Sequence, residues 1–270
     1  FNMISGLAEE ERSNGVVAFS SGNHAQGVAA AAKILGIKAS IVMPADAPQI
    51  KIDNTRGDGA DVVLYNRTDG NREAIAEEII AKNGAILIPP YNAHEIMVGQ
   101  GTLGLEFFQQ NKEMGASLDY LLGPCSGGGM IGGSAIVFSD RSPATEVYAV
   151  EPVGYDDTTL SLAKGERVQI KPGTPSFCDA LLLETPGEIT FAVNKELLAG
   201  GLVVSQAETA EAMKTAFQEY KIVVEPGGAV ALAAALSGKI KVRGSKIGVI
   251  CTGGNVDAAT FKDVLDGKYD

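Results

Sequence analysis

Tyr120-Leu121-Leu122-Gly123-Pro124-Cys125-Ser126-Gly127-Gly128-Gly129-Met130-Ile131-Gly132-Gly133 is the stretch that decides the fold. It begins as an apolar β-like run over Tyr120–Leu122, turns through glycines, and continues as a helix expected over Met130–Phe138. Successive N–H groups from Ser126 to Met130 can wrap a phosphate, with a helix N-terminus behind it. A plain tight turn is the competing reading of the same residues. The Lys-Ser/Thr pair of a Walker loop is absent. The glycines run consecutively and not as G-x-G-x-x-G, so a dinucleotide fingerprint is absent too.

Two more glycine loops follow β-like runs. Ser20-Ser21-Gly22-Asn23-His24 joins a strand expected at Val16–Ser20 to a small-residue helix expected at Ala25–Leu35. It brings two hydroxyls, an amide and an imidazole to a helix start, which suits a carboxylate and a ring oxygen. On spacing alone an ordinary N-cap by Ser21 or Asn23 is the stronger reading. Thr252-Gly253-Gly254-Asn255 follows a strand expected at Ile247–Cys251 and offers the Thr252 hydroxyl to a heterocycle nitrogen or to a turn. Together the three loops suggest a site for a phosphate and a carboxylate.

Between them, short β-branched runs alternate with helical stretches. Strands are expected at Ser40–Met43, Val62–Tyr65, Ala85–Ile88 and Val147–Val150. Helices are expected at Arg72–Asn83, Thr102–Met114, Ala207–Tyr220 and Ala229–Leu236. This alternation implies parallel sheets with right-handed crossovers. The expected architecture is two α/β domains, with a smaller one at 15–96 inserted into a larger one made of 1–14 and 97–270. A ligand would sit in the cleft, where both domains present strand ends. Gly154–Thr185 has weak periodicity and is expected to wrap the surface. Glu151 and Asp157, six apart around Gly154, read as loop carboxylates, either solvated or holding Mg²⁺ or Ca²⁺. Phe1-Asn2-Met3-Ile4 reads as the middle of a helix that Leu7 continues, as though the natural chain began earlier.

The 270 residues are 45% hydrophobic and 20% charged, enough for one large or two modest cores. A net charge of −11 argues against a nucleic-acid or anionic-membrane surface, so an anionic ligand must be held by local dipoles. No apolar run approaches the roughly 20 residues of a membrane span. Cys125, Cys178 and Cys251 show no metal-ligand spacing and fit a reducing cytoplasm. Cys125 and Cys251 read as small buried residues.

Taken in order, SSGNHAQG at 20–27, the loop at 126–130, AVEP at 149–152, VVEPGGAVAL at 223–232 and TGGNVD at 252–257 resemble the serine/threonine dehydratase and serine racemase family. Its members are pyridoxal-phosphate enzymes of the tryptophan-synthase-β-like fold, fold type II. The resemblance implies that Asn23 meets the cofactor's ring oxygen, that Ser126, Gly127, Gly128, Gly129 and Met130 hold its phosphate, and that Thr252 meets the pyridine nitrogen. It implies that Ser20, Ser21, Asn23 and His24 receive the substrate carboxylate, with Ser21 as second acid/base in racemizing members. It also implies a divalent cation (Mg²⁺, Mn²⁺ or Ca²⁺) on Glu151, Asp157 and the Tyr155 carbonyl, and a homodimer.

The family's Schiff-base lysine lies just before the segment matching Phe1, so the expectation is that the natural chain begins earlier and carries it there. Cys178-Asp179-Ala180 stands where many relatives carry Ala-Asp-Gly, which leaves the preferred hydroxy-amino acid open. The expected activity is deamination of L-threonine and L-serine by β-elimination. 3-Hydroxyaspartate dehydration and serine racemization are the near alternatives, and a catalytically inactive phosphoryl-ligand binder is the distant one.

Overall fold

The structure is a computed structural model that describes every residue except Ser21, Pro48, Arg67, Pro172, Thr174, Val242 and Asp270. Its contacts divide the chain into two units, Phe1–Pro90 and Tyr91–Asp270.

The first unit runs α1 (Asn2–Ser5), α2 (Glu9–Asn14), β1 (Val16–Phe19), α3 (Asn23–Leu35), β2 (Ala39–Pro44), α4 (Gln49–Gly57), β3 (Asp61–Tyr65), α5 (Arg72–Asn83) and β4 (Ile86–Leu87). Its sheet has the order β3-β2-β1-β4, and every pairing is parallel. Val16, Val17 and Ala18 are all buried, so β1 reads as a continuous apolar run, as a parallel strand covered on both faces must. The alanines of α3 let it lie close to that sheet, and Gly36 ends it in the left-handed region at φ 67. The Asn71 side chain caps α5 by accepting from the Ala74 N–H at 3.1 Å. Residues 1–14, expected with the larger domain, group here with 15–90: Ile4 is buried, α1 packs on α3, and the Arg12 guanidinium ties α2 to the Leu7 carbonyl at 2.9 Å. The helix expected through Leu7 stops at Ser5.

The second unit runs α6 (His94–Glu113), β5 (Tyr120–Pro124), α7 (Gly129–Arg141), β6 (Glu146–Pro152), α8 (Asp157–Lys164), α9 (Glu188–Leu197), β7 (Gly200–Val204), α10 (Gln206–Thr215), a π-helical turn at Ala216–Tyr220, α11 (Pro226–Leu236), β8 (Ile247–Val249) and α12 (Ala258–Leu265). Its sheet has the order β7-β6-β5-β8, again all parallel. Helix α11 is buried from Pro226 to Ala234 and packs with Leu122, Val150, Val204 and Met213 into the main core. A second cluster holds Leu121, Ile131, Phe138, Val147 and Ile250. No helix among the described residues is long and apolar enough to cross a membrane.

Both sheets share one connectivity. The chain leaves the first strand toward one edge and later returns on its other side, so β1 lies between β2 and β4, and β5 between β6 and β8. The loops after β1 and β5 therefore open at the switch point of each sheet, where open parallel sheets bind their ligands. These are the loops that begin at Ser20 and at Cys125.

Candidate active site

In the second unit, three of the expected site segments leave the carboxyl ends of neighbouring strands. Glu151 lies near the end of β6, Ser126 follows β5, and Thr252 follows β8. Cys125 continues the β5 ladder by donating its N–H to the Val150 carbonyl at 2.9 Å, and the chain then turns into the glycines. Gly128, the N-cap of α7, has φ 82, a conformation that side chains disfavour. A Cβ on Gly127 would lie 2.1 Å from Tyr91 Cγ, and one on Gly128 2.4 Å from Asn194 Nδ2. The glycines are thus demanded from behind by packing. Among the described residues, no protein acceptor meets the N–H groups of Ser126 and Gly127. Gly129 and Met130 open α7, so no helical carbonyl lies behind their amides. These unspent donors at a helix start form an anion cradle.

The Thr252 loop is fastened to the start of α11. Thr252 donates its N–H to the Gly228 carbonyl at 3.3 Å, and Glu225 donates to the Gly253 carbonyl at 3.1 Å. The approach is so close that a Cβ on Gly228 would stand 1.5 Å from the Thr252 carbonyl oxygen. This backbone pairing fixes the height at which the partly buried Thr252 hydroxyl is presented.

In the first unit, the Ser20 hydroxyl accepts from the Gly22 N–H at 3.2 Å, closing a small turn before α3. Asn23 is exposed at the helix start. His24 donates from Nε2 to the Ile88 carbonyl at 2.9 Å, and burial holds its pKa below the usual imidazole range. It is a neutral anchor between α3 and the residue after β4, and only its other ring nitrogen remains for a substrate. Ser21 lies outside the described residues.

Lys51, on α4, is a feature the sequence reading passed over. It is only 5% exposed, and its ammonium lies 3.5 Å from where a Cβ on Gly22 would stand. Arg72 lies over the Phe19 ring at 5.1 Å, beside the same strand end. Helix α4 buries Ile52 as its apolar anchor while Ile50 stays exposed, so periodicity gave no signal for it.

Glu151 and Asp157 are not solvated loop residues, which corrects that expectation. They are 0% and 1% exposed, on β6 and at the first residue of α8. Glu151 takes the amides of Thr158 (3.0 Å) and Thr159 (2.7 Å) and the Thr159 hydroxyl (2.7 Å), capping α8 from the strand. Burial pushes its carboxyl to about 7. Burial, then the Glu151 charge, pushes Asp157 to about 8. Both Asp157 carboxyl oxygens are buried without a hydrogen-bond partner among the described residues. No cluster of three or more His, Cys, Asp or Glu side chains forms there among those residues.

The cysteines are free: Cys125 and Cys178 buried, Cys251 exposed. The last corrects the expectation of a buried residue, because β8 ends at Val249 and leaves Cys251 in the loop. Burial pushes the Cys125 thiol well up, and its sulfur contacts the Thr158 hydroxyl at 3.5 Å, so it packs beneath the glycine loop and is no nucleophile.

Parallel sheets with an amide-lined anion cradle and a hydroxyl at adjacent strand ends suit a phosphorylated heterocycle. The family model described as "Pyridoxal-phosphate dependent enzyme" matches residues 1–253, and the chain belongs to that family. It is 40% identical over 270 residues to L-threo-3-hydroxyaspartate ammonia-lyase of Saccharomyces cerevisiae, covering all of this chain and 81% of that protein. It is 42% identical over 265 residues to serine racemase of Schizosaccharomyces pombe, covering 98% of this chain and 80% of that protein. The processed form of threonine deaminase isoform 2 from Solanum lycopersicum superposes with a TM-score of 0.90 at 38% identity, covering 98% of this chain and 77% of that one. The fold is accordingly that of the fold type II enzymes expected from the sequence.

Proposed function

We propose that this chain is the body of a pyridoxal-phosphate-dependent ammonia-lyase acting on hydroxy-amino acids, L-threonine and L-serine among them. The observation that carries the reading is the anion cradle at the β5 switch point. The cofactor, when bound, withdraws electrons from the substrate's α-carbon. Ser126, Gly127, Gly128, Gly129 and Met130 would hold its phosphate through backbone N–H groups. Thr252 would offer its hydroxyl to the pyridine nitrogen, and a neutral hydroxyl would be a poor stabiliser of a protonated ring. Asn23 bonds the ring oxygen. Ser20, Ser21, Asn23 and His24 orient the substrate carboxylate, and Ser21 serves as the acid/base on the second face. For the intact enzyme we retain domain limits of 15–96 for the smaller domain, with 1–14 and 97–270 in the larger. A cytoplasmic homodimer fits the unpaired cysteines and the family resemblance.

Lys51 supplies the positive charge that the carboxylate requires beside the Gly22 loop. Replacing it by Met should raise KM for every amino-acid substrate about 10-fold or more, the worth of a charge-assisted hydrogen bond. Steady-state kinetics with an unchanged KM would remove Lys51 from the site.

The 40% identity to L-threo-3-hydroxyaspartate ammonia-lyase favours a second reading, in which the substrate carries a further carboxylate, as 3-hydroxyaspartate does. The test is to assay the intact protein on L-serine, L-threonine and both 3-hydroxyaspartate diastereomers, measuring ammonia, 2-oxo acid and D-serine. The lyase reading expects ammonia and 2-oxo acid in equal amounts. D-serine as the main product would make the protein a racemase, and no product from any of the four would make it a binder.

The unpartnered Asp157 carboxylate suits a hard cation, with the Tyr155 carbonyl and Glu151 as companions. We infer Mg²⁺, Mn²⁺ or Ca²⁺ there. Saturating Ca²⁺ should raise Tm by roughly 5 °C, and Asp157→Asn should erase that rise. A wild-type protein whose melting ignores all three ions leaves no metal site.

A further inference from the structure

The cradle amides must be aimed, and glycine alone leaves them free to turn. Helix α9 lies behind the loop with Thr190 and Asn194 one turn apart on one face, both 0% exposed. The Thr190 hydroxyl donates to the Gly127 carbonyl at 2.6 Å, and Asn194 Nδ2 donates to the Gly128 carbonyl at 3.2 Å. In a trans peptide, a carbonyl fixed on one side sends the next residue's N–H out of the other. The Gly127 carbonyl held by Thr190 therefore turns the Gly128 amide away from α9, to the open side of the loop. The Gly128 carbonyl, which accepts from Asn194 at 3.2 Å and from the Gly132 N–H of α7 at 3.0 Å, turns the Gly129 amide the same way, into the cradle. Helix α9 is itself pinned from the segment before α6, where Asn92 Oδ1 accepts the Ile189 N–H at 2.8 Å.

We propose that Thr190 and Asn194 are positioning residues for cofactor binding, which set the loop's peptide planes so that its amides meet the phosphate as a preformed array. This rests on the reading of residues 126–130 as the phosphate loop. Preorganised donors bind an anion without first paying the entropy of alignment. Without the Thr190 hydroxyl, the Gly127 carbonyl would be left buried and unsatisfied, and the plane would rotate to find a partner.

The probes are pyridoxamine 5′-phosphate and pyridoxamine, which lack the aldehyde and so report phosphate and ring contacts without imine formation. Titration calorimetry on the intact protein gives the affinity ratio between them. Thr190→Val keeps the side-chain shape and deletes the donor; it should cut that ratio about 10-fold, the worth of a hydrogen bond to a charged group. Pyridoxamine affinity should stay unchanged, and Thr190→Ser should restore the wild-type ratio. Asn194→Ala carries the same arms if the valine variant melts below the assay temperature. Equal weakening of both probes, or an unchanged ratio in the two variants, overturns the proposal while leaving the phosphate loop intact. A wild-type protein that binds the two probes equally overturns the loop reading and the proposal together.

Discussion

Gly127→Val should abolish cofactor binding while leaving both sheets assembled. The added Cβ would lie 2.1 Å from Tyr91 Cγ, with Cδ1 and Cδ2 at 2.3 and 2.4 Å, so the whole ring must move. Tyr91 cannot retreat alone, because its backbone lies 3.3 Å from where a Cβ on Gly129 would stand. Displacing the loop costs about 1–3 kcal/mol of overpacking. The functional cost is larger, since several amide donors lose alignment together. We expect at least about 100-fold weaker binding of pyridoxal 5′-phosphate, as each charge-assisted bond contributes about 1.5–3 kcal/mol. Absorbance titration measures this, with far-UV circular dichroism to confirm the fold. Binding at wild-type strength would show that the phosphate rests elsewhere.

Gly228→Ala should be the most damaging single methyl in the second unit. Its Cβ would stand 1.5 Å from the Thr252 carbonyl oxygen and 2.6 Å from the carbonyl carbon, both backbone atoms. A side chain can rotate away from such a clash, but a backbone cannot. Either α11 backs out of its core or the loop from Thr252 to Asn255 lifts off, breaking the bonds from Thr252 N–H to Gly228 and from Glu225 N–H to Gly253. We expect a loss above about 4 kcal/mol, beyond the usual range for point changes. Thermal melting reads the loss directly. A variant that melts within 2–3 °C of the wild type would mean that the two segments are not held as described, since that interval corresponds to about 1 kcal/mol.

Much of this was legible in the chain itself. The βαβ rhythm and the expected strands at β1, β2, β3, β5 and β6 came within a residue or two of their observed limits, because each is a short apolar run, buried in β1, β2, β5 and β6 and largely exposed at the edge strand β3. Helix α5 was legible to the residue, from its Asn71 cap to Gly84. What escaped had weak local signals. Helix α4 lacks an apolar stripe, and β7 opens with two glycines, so neither stands out. The run expected as one helix at Ala207–Tyr220 widens into a π-helical turn after Thr215, a change that periodicity does not report. Glu151 and Asp157 looked solvated because charged residues usually are; only the fold reveals that the end of β6 buries both. Thr190 and Asn194 were invisible for another reason: their partners are carbonyls more than sixty residues away, and spacing in sequence carries no trace of such a bond.

The most direct test of the central claim is a titration of the intact protein with pyridoxal 5′-phosphate and, separately, with pyridoxal, followed by absorbance. If residues 126–130 cradle the phosphate, the phosphorylated form binds at least about 100-fold more tightly, and Gly127→Val removes the difference. Equal uptake of the two compounds, or a preference that survives Gly127→Val, would contradict it.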